Sequence, residues 1–277
     1  MVRRFIQNLV FDTRLGRAFL GYVRRGFVRL ERAYQLHRLV ERPNQVRLGP
    51  FQGLVYPAGE RSIWERRRLI GCYESCLHNT FNDFIRNQEG RYQRVIVVGC
   101  AEGYYAVGLA RALPATSVVA IDIDPVALSL TEEMAIANRV AERLEVSDRN
   151  GYDHLIELRA EEKALVVCDC EGCEYSLFDE NVVQNLTSSD LIIELHDPIE
   201  SKGPEFSTEQ GEQSVGGSDL AQRFSQTHDI QYITPTQNDP AEYPLGYLPA
   251  DEAREFLFEQ RSPGAAWLVL RSRALRH

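Results

Sequence analysis

The stretch RVIVVGCAEGYYAVG (94–108) decides the fold. RVIVV (94–98) reads as a strand, and Gly99 and Gly103 fall in the turn that leads from it into a helix over Tyr104–Leu113, with Gly108 inside that helix. Downstream, apolar strands and amphipathic helices alternate: SVVAID (117–122), a helix over Pro125–Arg139, a short strand at Leu144–Val146, and helical sequence near Tyr152–Leu158. LVVCD (165–169), a helix over Tyr175–Leu186 and DLIIEL (190–195) continue the pattern. Asp229–Ile233 and Trp267–Leu270 add two further strands, separated by a Pro-rich loop (235–249) and a helix over Asp251–Gln260. This alternation predicts an α/β architecture, a doubly wound, mostly parallel seven-stranded sheet with helices on both faces.

The chain has 277 residues, 44% apolar and 26% charged, the composition of an ordinary globular protein. Its net charge of −9 is unevenly spread. Residues 1–47 hold eleven Arg against Asp12, Glu31 and Glu41, a balance of +8 that leaves −17 for the rest. An acidic body is a poor binder of a phosphate backbone, so nucleic acid is not expected as a substrate. Residues 1–45 read as an arginine-rich amphipathic helical arm, suited to packing on a second copy or to a membrane surface. A hairpin and helical lead-in follow over 46–90, and the main domain spans 91–277. Six cysteines in so long a chain do not suggest a secreted disulfide framework. With no stretch of about 18 uninterrupted apolar residues and no signal-peptide core, a cytoplasmic protein with no transmembrane segment is expected.

The glycine turn is a weak signal by itself, since G-x-A-x-G is not the dinucleotide fingerprint G-x-G-x-x-G. Asp122, at the tip of the second strand, strengthens it: a carboxylate there can accept hydrogen bonds from the ribose hydroxyls of an adenosine. Two cofactors suit that geometry, a nicotinamide dinucleotide and S-adenosylmethionine (SAM). Glu102 in the turn would repel a pyrophosphate, whereas SAM carries a positive sulfonium and tolerates an acidic turn.

These residues also carry a family resemblance. The chain resembles class I SAM-dependent methyltransferases, whose sheet is Rossmann-like, and among them the FkbM type. GCAEGYY (99–105) is similar to that family's GANIGYY turn, DCEGCE (169–174) to its DVEGAE motif, IELH (193–196) to its fifth-strand ending and GCYE (71–74) to its upstream G-x-YE. Val97 stands where the family usually has an acidic residue and Ala101 where it usually has Asn. The resemblance implies O-methylation of a hydroxyl on a glycan or a small secondary metabolite. It implies a cofactor site at Gly99, Cys100, Ala101, Glu102, Gly103, Tyr104, Asp122, Ile123, Asp148 and Asp169.

In an open parallel sheet, ligands lie beyond the carboxyl ends of the strands. Asp169, Glu171 and Glu174 follow the fourth strand, and Glu194, His196 and Asp197 end the fifth. His196 is the expected base, since an imidazole titrates near neutrality, and Asp169 is expected to orient an acceptor hydroxyl or the cofactor's amino-acid portion. Glu171, Glu194, Asp197, Tyr243 and Tyr247 are the expected acceptor contacts. No metal is expected, although Asp169, His196 and Asp197 form an alternative set for a divalent ion. Cys168, Cys170 and Cys173 have poor zinc spacing and read as core thiols. The Gly/Ser/Glu-rich segment 199–218 is expected to close over the site. A non-catalytic SAM-binding scaffold and an NAD-dependent dehydrogenase are the competing functions.

Overall fold

A computed structural model describes residues 44–57, 63–86, 91–196, 215–246, 248–259, 261 and 265–275. Residues 1–43 of the arginine-rich arm, Asp197, Tyr247 and residues 199–214 of the expected lid lie outside the described residues. Seven strands form one sheet: β1 (Arg94–Val98), β2 (Ser117–Ile121), β3 (Leu144–Ser147), β4 (Ala164–Cys168), β5 (Asp190–Leu195), β6 (His228–Ile233) and β7 (Ala266–Ser272). Their order is β3-β2-β1-β4-β5-β7-β6, and β1 to β5 are parallel. β7 runs antiparallel between β5 and β6.

Helices α1 (Ile63–Ile70) and α2 (His78–Arg86) precede the sheet, and α3 (Tyr104–Ala112), α4 (Pro125–Ala137) and α5 (Gly151–Ile156) connect its first strands. α6 (Glu174–Leu177), α7 (Glu180–Asn185), α8 (Val215–Phe224) and α9 (Ala250–Leu257) follow. The expected single helix over 175–186 is two short ones, because Asp179 leaves the helical conformation to cap α7 through the Val182 N–H. The expected lead-in helix is likewise broken, at Gly71, whose φ of 86° ends α1.

Both sheet faces are covered, which is why β1 is apolar from Val95 to Val98 after its first residue, Arg94. Val95 and Val97 join a layer with the lead-in, α3 and Trp267, while Ile96 and Val98 join the opposite layer with Leu155, Phe178 and Phe224. In the first layer Phe51 packs edge-on to Tyr104 at 5.3 Å and beside Phe81 at 5.3 Å. A Cβ on Gly108 would lie 2.6 Å from that Phe51 ring, so a helix-weakening glycine is kept where the lead-in docks. At the start of β5 the buried Asp190 accepts from Arg91 at 2.6 Å, from the Tyr92 hydroxyl and from the Ser272 N–H. This ties the entrance of β1 to β5 and β7, and removing one partner of so buried a pair costs about 3–5 kcal/mol.

Candidate active site

The parallel strands β1 to β5 deliver their carboxyl ends to one edge. β7 pairs its first residue, Ala266, with Leu195 at the end of β5, so the chain before β7 arrives at the same edge. Ile233 pairs with Trp267 there as well, which brings the loop after β6 to this side as expected from the sequence.

After β1, Gly99, Ala101 and Gly103 have φ of 78°, 47° and 94°. A Cβ on Gly99 would sit 1.7 Å from the Asp169 carbonyl, so this glycine serves a backbone crossing between the first and fourth turns. A Cβ on Gly103 would meet Thr131 and Val107 at 3.1 Å. The space it keeps free belongs to α3 and α4. Asp122 stands at the tip of β2, its Oδ2 accepting from the Ala101 N–H at 2.9 Å and its Oδ1 from the Asp124 N–H at 3.0 Å. Each carboxylate oxygen has a second lone pair, so both remain able to accept from a ligand hydroxyl. Ile123 beside it is 96% exposed, an apolar side chain standing free at the mouth of the site. Asp148 is exposed on the loop after β3. Tyr104 and Cys100 are buried, Tyr104 in the aromatic layer and Cys100 with its thiol pushed up to about 11 by burial.

Glu102 is not the free charge expected from the sequence. Arg68 pairs with it at 2.5 Å and Tyr56 donates to it at 3.1 Å, while the Arg68 guanidinium lies 4.3 Å from the Tyr73 ring. The lead-in helix thus neutralises the turn, and repulsion by Glu102 no longer excludes an anionic ligand.

After β4, the turn 169–173 carries the second group of side chains. Glu174 is fully buried, and its Oε1 collects the N–H groups of Cys170 and Gly172 at 3.2 and 3.4 Å. The same oxygen takes the Nδ1–H of His196 at 2.9 Å. This bond raises the His196 pKa above its ordinary 6.5. Burial alone would raise the Glu174 carboxyl, but the bond from His196 leads the effects that leave it below its ordinary value. His196 is one-quarter exposed, and its Nε2 faces Asp169 at 3.8 Å and the exposed Glu171 at 3.6 Å. Asp169, Glu171 and His196 each present one potential ligand atom within 4.8 Å of the others. Asp169 and His196 thus come together, and Glu171 joins them, while Asp197 lies outside the described residues.

Behind them lies a buried acidic network that sequence reasoning saw only in part. Arg261 pairs with Glu194 at 2.7 Å and Glu259 at 3.4 Å, and also with Glu74, which accepts from the Tyr105 hydroxyl. Burial pushes Asp169 up to about 6 and Glu194 up to about 10, and nearby acids reinforce both shifts. Glu194, expected to touch an acceptor, is therefore enclosed beneath Arg261. Tyr243 is half-buried, its hydroxyl donating to Asn238 at 2.9 Å, and it braces the loop after β6 against Ser75 of the lead-in through that asparagine. Cys170 and Cys173 are joined in a disulfide, which corrects their reading as core thiols; Cys168 is a free buried thiol.

A family model described as ribosomal protein L11 methyltransferase (PrmA) matches residues 74–170, which run from the end of the GCYE segment into the start of the turn after β4. No curated protein matches the chain. Among solved structures, the chain is similar to an rRNA methylase from Streptococcus thermophilus, with 12% identity, a TM-score of 0.44, and 72% of this chain and 97% of that one covered. It is also similar to a chain of a fibrillarin/Nop5p complex, with 10% identity, a TM-score of 0.47, and coverage of 82% and 92%. The O-methyltransferase TomG from Streptomyces achromogenes, solved with SAM, gives 16% identity, a TM-score of 0.39, and coverage of 66% and 74%. The chain has the class I methyltransferase fold. Its Rossmann-like sheet, with β7 reversed between β5 and β6, is the sheet anticipated from the sequence. Among the described residues no helix is long and apolar enough to cross a membrane.

Proposed function

We propose that this chain is a SAM-dependent O-methyltransferase of the FkbM type, acting on a hydroxyl of a glycan or a small molecule. The observation that carries the chemistry is the Glu174–His196 pair: a buried carboxylate holds Nδ1–H and leaves Nε2 facing Asp169 and the exposed Glu171. An imidazole fixed in that tautomer is built to receive a proton. When bound, SAM supplies a methyl group activated by its sulfonium. The residues fit such a group. Asp122 keeps acceptor capacity for ribose hydroxyls, and the exposed Ile123 offers an apolar surface to a purine. Arg261 meets three acidic side chains, Glu74, Glu194 and Glu259, and Asp169 and Glu171 flank His196, an acidic surround that favours a cationic ligand.

His196 accepts the acceptor's proton at Nε2, Glu174 stabilises the resulting imidazolium, and Asp169 orients the hydroxyl. Glu171, exposed at the rim, contacts the acceptor. No nucleic acid is required by this reading, since the family-model match ends in the turn after β4 and leaves the acceptor side unassigned. Tritium transfer from labelled SAM to glycans and cell extracts tests it. Incorporation into a hydroxyl-bearing product supports it, whereas SAM binding with no turnover on any extract would favour a SAM-binding scaffold.

A further inference from the structure

We propose that Cys170 and Cys173 are a reversible dithiol–disulfide site, opened by a dithiol reductant, that latches the turn carrying the catalytic carboxylates. The two cysteines are bridged across Glu171 and Gly172, with Cα atoms 5.5 Å apart, and both are partly exposed, so a sulfur nucleophile can reach them. Within that bridge Glu171 takes φ 57° and Gly172 φ 109°. A non-glycine residue in this left-handed region persists where its surroundings enforce it. The bridge supplies that enforcement, and it aims the Cys170 and Gly172 N–H groups at the Glu174 oxygen that holds His196.

A third sulfur sets the direction of opening. The Cys168 thiol is buried beside Cys170, S to S 3.7 Å, and donates to it. Its own pKa is driven far up by burial, so it stays protonated and serves as a donor. A thiolate leaving at Cys170 is stabilised by that S–H, which directs the incoming sulfur to Cys173. The reductant's thiolate bonds to the Cys173 Sγ as the Cys170–Cys173 bond breaks, and the electron pair goes to the Cys170 Sγ, which takes a proton from solvent. The reductant's second thiol then displaces Cys173, which is protonated in turn. Two electrons and two protons pass from the dithiol to the protein. With the bridge open, the turn relaxes and Glu174 loses its fixed N–H donors.

The latch's effect on catalysis rests on the methyl-transfer reading, but its test uses neither SAM nor an acceptor. The full chain, purified without reductant and alkylated in denaturant, should show four modified cysteines and one peptide linking 170 to 173; after dithiothreitol it should show six. Amide hydrogen exchange over 170–174 should then speed up by about tenfold or more on reduction. A Cys173→Ser variant should exchange at the fast rate in either state. Should that variant fail to fold, the oxidised and reduced wild-type protein still decide the matter. Six alkylated cysteines after incubation with oxidised glutathione, a bridge between other cysteines, or equal exchange in both states would overturn the proposal.

Discussion

The turns after β1 and β4 touch each other, yet they are held by opposite means. Both leave a strand through residues of positive φ, Gly99, Ala101 and Gly103 in one, Glu171 and Gly172 in the other. They meet where the missing side chain of Gly99 admits the Asp169 carbonyl. The first turn is secured by its own backbone: the Ala101 N–H binds Asp122, its carbonyl binds Thr131, and its one charge is neutralised by Arg68. The second is secured by carboxylates and a disulfide, with Glu174 gathering two N–H groups and an imidazole. On the proposed reading, one turn is a quiet platform for a ligand and the other concentrates charge where a proton moves.

The sharpest way to break this division is His196→Ala. If the second turn does the proton transfer, turnover falls by roughly 10²–10⁴-fold while SAM affinity stays within a fewfold. An equal loss of both would place His196 in the cofactor site. Next in size, Gly108→Ala tests how firmly the lead-in is pressed on α3 beside the first turn. Alanine gains up to about 1 kcal/mol of helix propensity, but its Cβ meets a Phe51 ring already boxed by Tyr104 and Phe81, and overpacking costs about 1–3 kcal/mol. A net loss of about 1–2 kcal/mol in urea unfolding is expected, and a stabilised protein would show that the lead-in is not docked there.

A smaller shift concerns pH. The raised His196 pKa means the base is protonated and idle at low pH, so turnover should fall on the acid side through an apparent pKa above 6.5. Glu174→Gln removes the carboxylate that favours imidazolium, so the limb should move down in pH as the plateau drops. A limb that stays in place would assign the titration to another group. For stability the signs are opposite. The His196 contribution is full below its unfolded pKa and is lost as pH rises through the raised folded value. That of Glu174, whose pKa is lowered, is lost as pH falls. The smallest expected effect is that of a chelator: activity should be unchanged. Inactivation rescued by magnesium or manganese would instead make Asp169, Glu171 and His196 metal ligands.

The first turn was the more legible in sequence because its devices are local: two glycines four apart and an aspartate at the next strand's tip are visible as spacing. The glycines' reason was not legible, since Gly99 answers to the Asp169 carbonyl seventy residues away. The second turn was legible as a cluster of acids but not as a structure. C-x-C-x-x-C reads equally as poor zinc spacing or as buried thiols, and the positive φ at Glu171 and Gly172, which lets the turn bring Cys170 and Cys173 together, is not visible in it. Arg68 and Arg261 left no local signal. Arg68 reaches Glu102 from the lead-in, and Arg261 reaches Glu74 and Glu194 because β7 enters the sheet antiparallel beside β5. Glu74 could have been found, since GCYE belongs to the family resemblance, and its place in the fold beside Arg261 and Tyr105 explains why an acid stands there.

The central claim, that the first turn with Asp122 holds SAM, is tested most directly by calorimetric titration of SAM into the wild-type protein and Asp122→Asn. Asparagine keeps an oxygen for one of the two backbone N–H groups but loses the charge that strengthens bonds from ribose hydroxyls. Saturable one-site binding to the wild type, weakened at least about tenfold in the variant, about 1.4 kcal/mol, is the predicted result. No binding to the wild type, or equal affinity in the two proteins, would contradict it.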